Sequence, residues 1–172
     1  YFGTSSDLPV PGDYSGDSTS TAALFSPSRG RWLLKNLSRI YFGSDFDLAV
    51  PGDYDGDGTT EPAVFRPPRG LWAVRGSTRF FFGNSDDVPL PGNYGGDGTS
   101  KAAIFRPRSA YWGVRGVTRV YFGASSDRPV PADFDGDGAD DIGIFRDNSG
   151  LWAARSLTRA YFGAPGDVPA TR

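Results

Sequence analysis

The sequence predicts an all-β protein assembled from four copies of one unit, and three observations lead to this prediction. The dipeptide Phe-Gly recurs at a constant spacing along the whole chain. Aromatic residues are abundant, with 4 Trp, 8 Tyr and 13 Phe in 172 residues, and aromatic side chains favour strands. The 24 Gly and 14 Pro residues interrupt the chain too often for long helices. The Phe-Gly pairs begin at Phe2, Phe42, Phe82, Phe122 and Phe162.

Each unit contains four short strand-like segments separated by Gly- or Pro-rich turns, a pattern typical of an antiparallel meander. Four such strands make one blade of a β-propeller. We therefore predict a β-propeller of four four-stranded blades, in a single repeat domain spanning residues 1–172. In copy two the strands are placed at 50–54, 61–66, 71–75 and 78–82. The repeats are placed at 8–47, 48–87, 88–127 and 128–167.

The closure of the ring is left open by the lengths of the repeats. Four whole units, counted from Tyr1, end at Ala160, and the remaining segment, 161–172, restarts the pattern seen at 1–12. Three roles are expected for this surplus segment: it overlaps with the first segment to close the ring, it exchanges into a second chain, or it belongs to a longer array. A chain that begins at Tyr1 rather than Met is expected to be a processed segment, which fits the third role. Two chains forming an eight-bladed ring are therefore an alternative. An open solenoid is less favoured, because the chain ends do not resemble polar capping repeats.

One Trp in each unit marks the expected core. We expect these rings to wedge between blades rather than to form a sugar-binding platform, because each buried aromatic side chain removes roughly 150–250 Å² from water. The four residues are Trp32, Trp72, Trp112 and Trp152.

The loop between the first two strands carries alternating acidic residues in copies two and four. Carboxylates occupy loop positions 1, 3, 5 and 9, and Gly occupies position 6. Calcium takes about 6–8 oxygen ligands, which such a turned loop can supply together with the carbonyl at position 7. A single Asp-Gly pair is common in ordinary turns, but four acids in one short loop, present twice, would repel one another without a cation. The predicted sites are Asp53, Asp55, Asp57, Thr59 and Glu61 in copy two, and Asp133, Asp135, Asp137, Ala139 and Asp141 in copy four.

The spacing differs from that of an EF-hand loop, and two copies depart from it further. An EF-hand needs a Glu at position 12, where this chain has Val64 or Ile144 inside a predicted strand. Copy three keeps one carboxylate and places Lys101 at position 9, so we expect no calcium there and expect the Lys101 ammonium to replace the cation in part. Copy one is expected to form a weaker third site from Asp13, Ser15, Asp17 and Thr19.

The whole unit resembles the bacterial FG-GAP/VCBS-type repeat family. The resemblance covers nearly the whole chain and is most specific in the acidic loop; the segment Phe162-Gly163-Ala164-Pro165 also matches the family's signature. It implies a β-propeller whose blades carry calcium loops, as in the heads of integrin α-subunits and in some lectins. Carried over to this chain, it implies the two calcium-ligand sets given above and a secreted or cell-surface location. Familiar propellers of this type usually have seven blades, whereas this chain has four repeats.

Repeated basic side chains are candidate ligand contacts. One series comprises Arg66, Arg106 and Arg146, with Ser26 in copy one. A second comprises Lys35, Arg75, Arg115 and Arg155. Alternatively these cations pair with the carboxylates that repeat from Asp7. For a third series, Arg39, Arg79, Arg119 and Arg159, we favour that structural role because the positions follow the repeat so rigidly.

The composition narrows the functional classes. The net charge of −2 gives no electrostatic case for nucleic acid, and no apolar run reaches the roughly 20 residues of a membrane helix. The chain has no His and no Cys, the usual general base and a common nucleophile, so an enzyme is not expected. We expect an extracellular calcium-binding recognition module, lectin-like or adhesive, that binds a carbohydrate or protein ligand. The alternative is a purely structural or assembly domain of a larger secreted protein that mediates protein–protein contacts, and a homodimer through ring completion is also considered.

Overall fold

The computed structural model describes residues 2–169, and these residues form β-strands with no α-helix. The strands make four separate four-stranded sheets, each antiparallel and each with its strands in chain order. Every sheet lies within one repeat of the sequence. The predicted all-β class and the four strands per repeat are therefore confirmed.

The strands are short and recur at matching positions in all four sheets. The first sheet contains β1 (Leu8–Pro9), β2 (Ala23–Ser26), β3 (Arg31–Leu34) and β4 (Ser38–Tyr41). The second contains β5 (Leu48–Ala49), β6 (Ala63–Arg66), β7 (Leu71–Val74) and β8 (Arg79–Phe81). The third contains β9 (Val88–Pro89), β10 (Ala103–Arg106), β11 (Tyr111–Val114) and β12 (Thr118–Tyr121). The fourth contains β13 (Arg128–Pro129), β14 (Gly143–Arg146), β15 (Leu151–Ala154) and β16 (Thr158–Tyr161).

The chain divides into two compact units, residues 1–85 and residues 86–172. The first unit holds the first and second sheets, and the second unit holds the third and fourth. Within each unit one hydrophobic cluster draws residues from both sheets.

The first strand of each sheet differs from its sequence-based placement. In copy two it was expected at 50–54, whereas β5 covers only Leu48–Ala49. The ladder then weakens because Pro51 has no N–H to donate. Beyond the strand, the Val50 N–H donates to the Ala63 carbonyl at 2.8 Å, and an isolated bridge joins Gly52 to Glu61. This bridge closes the base of the acidic loop.

The Trp residues form the core, as predicted, in three of the four sheets. Trp32, Trp72 and Trp112 have no exposed surface, and each packs on the Phe that faces it across the strand pair, with ring centroids 4.9–5.2 Å apart. Trp32 belongs to one cluster with Val64 and Ala73 of the second sheet, so it lies between the two sheets of its unit. Trp152, in contrast, is partly exposed.

Each Trp also anchors the Phe-Gly segment that leaves its own sheet. The indole Nε1–H donates to the carbonyl of the Phe in the following Phe-Gly pair, at 2.9 Å for Trp32 with Phe42 and 3.1 Å for Trp112 with Phe122. This bond satisfies a buried donor, which would otherwise cost free energy. The constant spacing between Trp and Phe-Gly in the sequence therefore reflects a direct contact.

The repeated Asp that follows Phe-Gly pairs with the Arg at the end of the second strand. Asp47 has a fully buried side chain, and Arg66 donates to it twice, from Nε to Oδ1 at 2.7 Å and from Nη2 to Oδ2 at 2.9 Å. The same bidentate contact joins Arg106 to Asp87 and Arg146 to Asp127.

The Arg series that begins at Arg39 does not take this structural role. Arg79 and Arg159 are exposed and make no ion pair with any residue between 2 and 169. The prediction that this series pairs with the buried carboxylates is therefore wrong. Asp47, Asp87 and Asp127 pair instead with the Arg at the end of the second strand of their own sheet.

Candidate metal centre

The acidic loop of copy two brings its four carboxylates together. One oxygen from each of Asp53, Asp55, Asp57 and Glu61 lies within 4.8 Å of the others. The backbone folds around Asp53, whose Oδ1 accepts from the Gly56 N–H at 2.6 Å and whose Oδ2 accepts from the Gly58 N–H at 2.9 Å. Glu61 lies two residues before β6, at the bridge with Gly52, and accepts from the Tyr54 N–H at 2.8 Å. These four carboxylates could hold a metal ion.

Copy four repeats the arrangement with one difference. Asp133, Asp135 and Asp141 converge within the same 4.8 Å limit, and Asp133 accepts from the Gly136 and Gly138 N–H groups at 2.6 and 3.0 Å. The predicted ligand Asp137 is not part of the converging group. Its Oδ1 accepts from the Ala139 N–H at 2.8 Å, a bond that Asp57 also makes in copy two. Three of the four predicted carboxylates therefore meet in this loop.

The two residues predicted to offer a carbonyl oxygen lie at the turn of each loop. The Thr59 N–H donates to Asp57 Oδ1 at 2.7 Å, as the Ala139 N–H does to Asp137. This bond fixes the orientation of the peptide before each residue. The role of the Thr59 and Ala139 carbonyls as ligands stays a prediction.

The glycine at loop position 6 is required by backbone conformation rather than by space. Gly58 has a φ of 86° and Gly138 a φ of 88°, in the left-handed region that side chains disfavour. A Cβ added to either residue would meet nothing within 4 Å. In copy one the same position is Ser18, which has a φ of 63° and therefore carries backbone strain that the glycines avoid.

The electrostatics of both loops favour a cation. Burial raises the pKa of Glu61, and the neighbouring charges of Asp55, Asp53 and Asp57 raise it further, although the Tyr54 N–H opposes them. Asp141 behaves in the same way: burial and the charges of Asp135, Asp137 and Asp133 raise its pKa against the opposing Phe134 N–H. In each loop the carboxylates therefore resist being ionised together, and a bound cation would remove that repulsion.

The weaker loop of copy one is closed by its own backbone. Asp13 Oδ1 accepts from the Gly16 N–H at 2.7 Å, and its Oδ2 accepts from the Ser18 N–H at 2.7 Å. The Ser15 hydroxyl lies 3.3 Å from Asp13 Oδ1, and Asp17 accepts from the Thr19 N–H at 2.9 Å. The loop has the same path as the others but only two carboxylates. The third site therefore stays a prediction of weaker binding.

In copy three a lysine ammonium lies against the remaining carboxylate. Lys101 Nζ donates to Asp97 Oδ2 at 2.7 Å and also contacts the Thr99 hydroxyl. Asn93 stands where the other metal loops have their first Asp, and its Oδ1 accepts from the Gly98 N–H at 3.2 Å. The expected contact of Lys101 with the acidic loop is thus observed. The absence of calcium from this loop remains a prediction.

Adjacent loops within each unit are joined by hydrogen bonds that the sequence did not reveal. In the first unit the Thr60 N–H donates to the Asp13 carbonyl at 2.6 Å. In the second unit the Asp140 N–H donates to the Asn93 carbonyl at 2.9 Å, and Asp140 Oδ2 accepts from the Asn93 N–H at 2.7 Å. The Asn93 side chain also donates to the Gly138 carbonyl at 2.7 Å. The bond in the first unit joins backbone atoms only, so no residue type signals it, whereas the bonds in the second unit also use the Asp140 carboxylate and the Asn93 amide.

No family model, curated protein or solved structure matches this chain. Within residues 2–169 there is no helix of the length and apolarity that crossing a membrane requires.

Proposed function

We propose that this chain is a calcium-binding recognition module on a β-propeller scaffold, secreted or displayed at the cell surface. The observation that carries the proposal is the convergence of Asp53, Asp55, Asp57 and Glu61 on one point, repeated by Asp133, Asp135 and Asp141. Four four-stranded meander sheets that recur at a constant spacing support the propeller. The enzyme class is not favoured, because the clustered carboxylates have a role as metal ligands.

Calcium is proposed over other cations because of the ligand type. All the converging groups are carboxylate oxygens, which suit hard cations. The loops are exposed and built on flexible glycines, and calcium tolerates such irregular geometry better than magnesium, which demands a near-octahedral shell.

The identity of the metal is tested by competition. The purified protein is dialysed against equal millimolar calcium and magnesium, and bound metal is measured by elemental analysis. The proposal expects calcium to be retained in preference to magnesium. Retention of magnesium alone, or of neither metal, would contradict it.

Calcium is proposed to stabilise the blades rather than to contact the ligand. Glu61 belongs both to the metal cluster and to the bridge with Gly52, so metal binding would tie the acidic loop to the base of the sheet. A ligand that binds only the folded state raises its stability by mass action. The recognition role is tested on a glycan array with calcium and again with a chelator. A saccharide signal lost on chelation supports the proposal, whereas silence in both conditions from folded protein favours the assembly role.

The assembly role is the second candidate, and the Phe-Gly segments favour it. Phe42 and Phe122 are half-buried and pack on the hydrophobic cluster of their unit. Phe162 is 78% exposed, and all four residues of β16 are exposed. We propose that a second copy of this chain covers this face and that two chains thereby complete an eight-bladed ring.

In such a ring a Phe-Gly segment of one chain would be replaced by the equivalent Phe-Gly segment of the other. Gly3 already lies against Leu24 of the first sheet, where an added Cβ would overlap the Leu24 side chain, much as Gly43 lies against Val64 of the second. Phe162-Gly163 of a second copy would take the place of Phe2-Gly3. Sedimentation of the wild type and of Phe162→Asp tests this role, with Phe46→Asp as control because Phe46 is 73% exposed outside a Phe-Gly pair. A wild-type dimer lost only in Phe162→Asp supports it, and a wild-type monomer contradicts it.

A further inference from the structure

Two clefts at equivalent positions, one in each unit, have nearly the same volume and lining. The cleft of the first unit lies between the first and second sheets and has a volume of about 350 Å³. The cleft of the second unit lies between the third and fourth sheets and has a volume of about 340 Å³. Each residue that lines the first cleft has a counterpart 80 residues later in the second, with Ile144 in place of Val64, and Ser109 and Ala110 are added to the lining of the second cleft. These volumes lie at the small end of the range for ligand pockets, which suits one or two rings.

Each cleft places an exposed aromatic ring beside two guanidinium groups. The first is lined by Tyr41 from the end of β4 and by Arg66 and Arg79 from the second sheet. The second is lined by Tyr121, Arg146 and Arg159. Tyr41 and Tyr121 are 68% and 75% exposed, so most of each ring is accessible to a ligand, although Tyr121 also packs in a T-shaped contact on Tyr111 with ring centroids 5.5 Å apart.

The charge of each cleft is positive. The guanidinium of Arg66 is neutralised by the buried Asp47, and that of Arg146 by Asp127. Arg79 and Arg159 have no acidic partner among residues 2–169, so each cleft carries one uncompensated positive charge. An exposed guanidinium with free donors pairs well with a planar carboxylate, so the one unpaired guanidinium in each cleft favours a ligand that bears a carboxylate.

Among ligands that bear a carboxylate, the polar and apolar groups of the cleft favour a saccharide. The aromatic face offers a flat apolar surface for the C–H groups of a sugar ring, and the Tyr hydroxyl adds a polar edge. The inner wall is apolar and small, with Val64 and Ala73 in the first cleft. We propose that the twin clefts bind a saccharide that carries a carboxylate, such as a uronic acid, with Arg79 or Arg159 contacting the carboxylate and Tyr41 or Tyr121 stacking on the ring. This inference rests on the proposed recognition function and names its ligand class.

The test compares two sugars that differ only at the carboxylate. Glucuronate and glucose are titrated into ¹⁵N-labelled protein in the presence of calcium, with acetate as a third probe. The expected result is a shift of the backbone amides of Tyr41, Gly43 and Arg79, and of their equivalents in the second unit, with glucuronate only. We expect glucose and acetate to bind at least about tenfold more weakly, since each loses either the charge-assisted contact or the stacked ring. If glucose binds as tightly as glucuronate, the proposed selection for a carboxylate is wrong. If acetate binds as tightly as glucuronate, the proposed recognition of a sugar ring is wrong.

Matched variants locate the site. The double variant Arg79→Gln with Arg159→Gln is expected to lose glucuronate binding by about tenfold or more. The double variant Arg69→Gln with Arg108→Gln makes the same change of charge at exposed positions outside both clefts and is expected to bind as the wild type does. Equal loss in both double variants would overturn the proposal, because it would reflect net charge alone.

The outcomes separate this inference from the proposed function. Protein that binds calcium and other glycans but not glucuronate overturns this inference alone. Protein that binds glucuronate in the clefts but does not bind calcium overturns the calcium role and leaves the clefts as sites. Glucuronate shifts confined to other surfaces overturn the assignment to the clefts.

Discussion

Lys101 Nζ lies 2.7 Å from Asp97 Oδ2, at the loop position that Glu61 occupies in copy two and Asp141 in copy four. One repeat thus holds a tethered cation where two others hold a converging set of carboxylates. The substitution of a cation for an anion at one position distinguishes the loops whose carboxylates could hold a metal from a loop whose carboxylate is paired with a lysine.

The ion pair between Lys101 and Asp97 predicts how the stability of loop three changes at low pH. The hydrogen bond from Lys101, aided by Thr99, lowers the pKa of Asp97 below its ordinary value. A carboxyl group whose folded-state pKa is lowered contributes stability above its unfolded-state pKa, and this contribution is lost as the pH falls through the folded-state pKa. In Lys101→Gln the pKa of Asp97 should rise toward its ordinary value, as measured by carboxyl carbon NMR. Lys35→Gln, which changes the only other lysine, should leave it unchanged; a shift in both variants would contradict the assignment.

Loop three should become a calcium site when its acids are restored. The triple variant Asn93→Asp, Gly95→Asp and Lys101→Glu recreates the acidic pattern of copy two. A Cβ added at Gly95 comes close only to the flexible side chains of Lys101, at 3.2 Å, and of Asp97, at 3.5 Å, so the change fits the backbone. Calorimetry should show one more tight calcium site than in the wild type. Asn93→Asp alone serves as control and should add none; an unchanged count in the triple variant would contradict the ligand positions.

Copy one should be stabilised by removing its strained serine. Ser18 adopts a φ of 63°, where the other loops have glycine, and its N–H bond to Asp13 would survive substitution by glycine. Ser18→Gly should raise the free energy of unfolding by about 0.5–1 kcal/mol, the left-handed penalty less the added chain entropy. Denaturant unfolding in a chelator measures this change. Ser18→Ala should bring no gain, and equal stability of all three proteins would argue against strain.

The two classes of Trp environment should differ in their contribution to stability. Trp112 is fully buried and bonded to the Phe122 carbonyl, whereas Trp152 makes the equivalent bond in a partly exposed site. Trp112→Phe should lower the free energy of unfolding by roughly 1–3 kcal/mol, through a lost hydrogen bond and a cavity. Trp152→Phe should cost less, as measured by chemical denaturation. Equal losses would show that the exposed site is covered in solution.

The sequence predicts the features that depend on residue type at fixed spacing. The alternation of strands and turns follows from the placement of Gly, Pro and aromatic residues, and the convergence of Asp53 with Glu61 follows from glycines that reverse the backbone. The Trp core follows from the size of the indole ring.

Other features depend on contacts that no local pattern encodes. The bond between Thr60 and Asp13 joins backbone atoms of two repeats, so neither side chain signals it. The pairing of Arg66 with Asp47 joins residues that are distant in the chain, and the repeat offered several equally regular Arg series for it.

In copy one the Arg that lies near the repeated Asp comes from a different strand. Ser26 replaces the usual Arg, but it faces Arg31 across the strand pair, and the Arg31 guanidinium lies 3.9 Å from Asp7. The Ser26 hydroxyl and the Thr4 N–H hold the pKa of Asp7 below its ordinary value, and Arg31 contributes further. The positive charge near Asp7 thus comes from Arg31 on β3 rather than from β2. A comparison of equivalent repeat positions shows only the Ser26 substitution and misses this exchange.

The central claim is that loops two and four bind calcium, and calorimetric titration of calcium into metal-free protein tests it most directly. The account predicts two tight sites, with a weaker third event from copy one at higher calcium concentration. Asp55→Asn with Asp57→Asn should remove one tight site, Asp133→Asn with Asp135→Asn should remove the other, and Asp97→Asn in loop three should change neither. No calcium binding by the folded wild type, or a number of tight sites that these loop variants leave unchanged, would contradict the account.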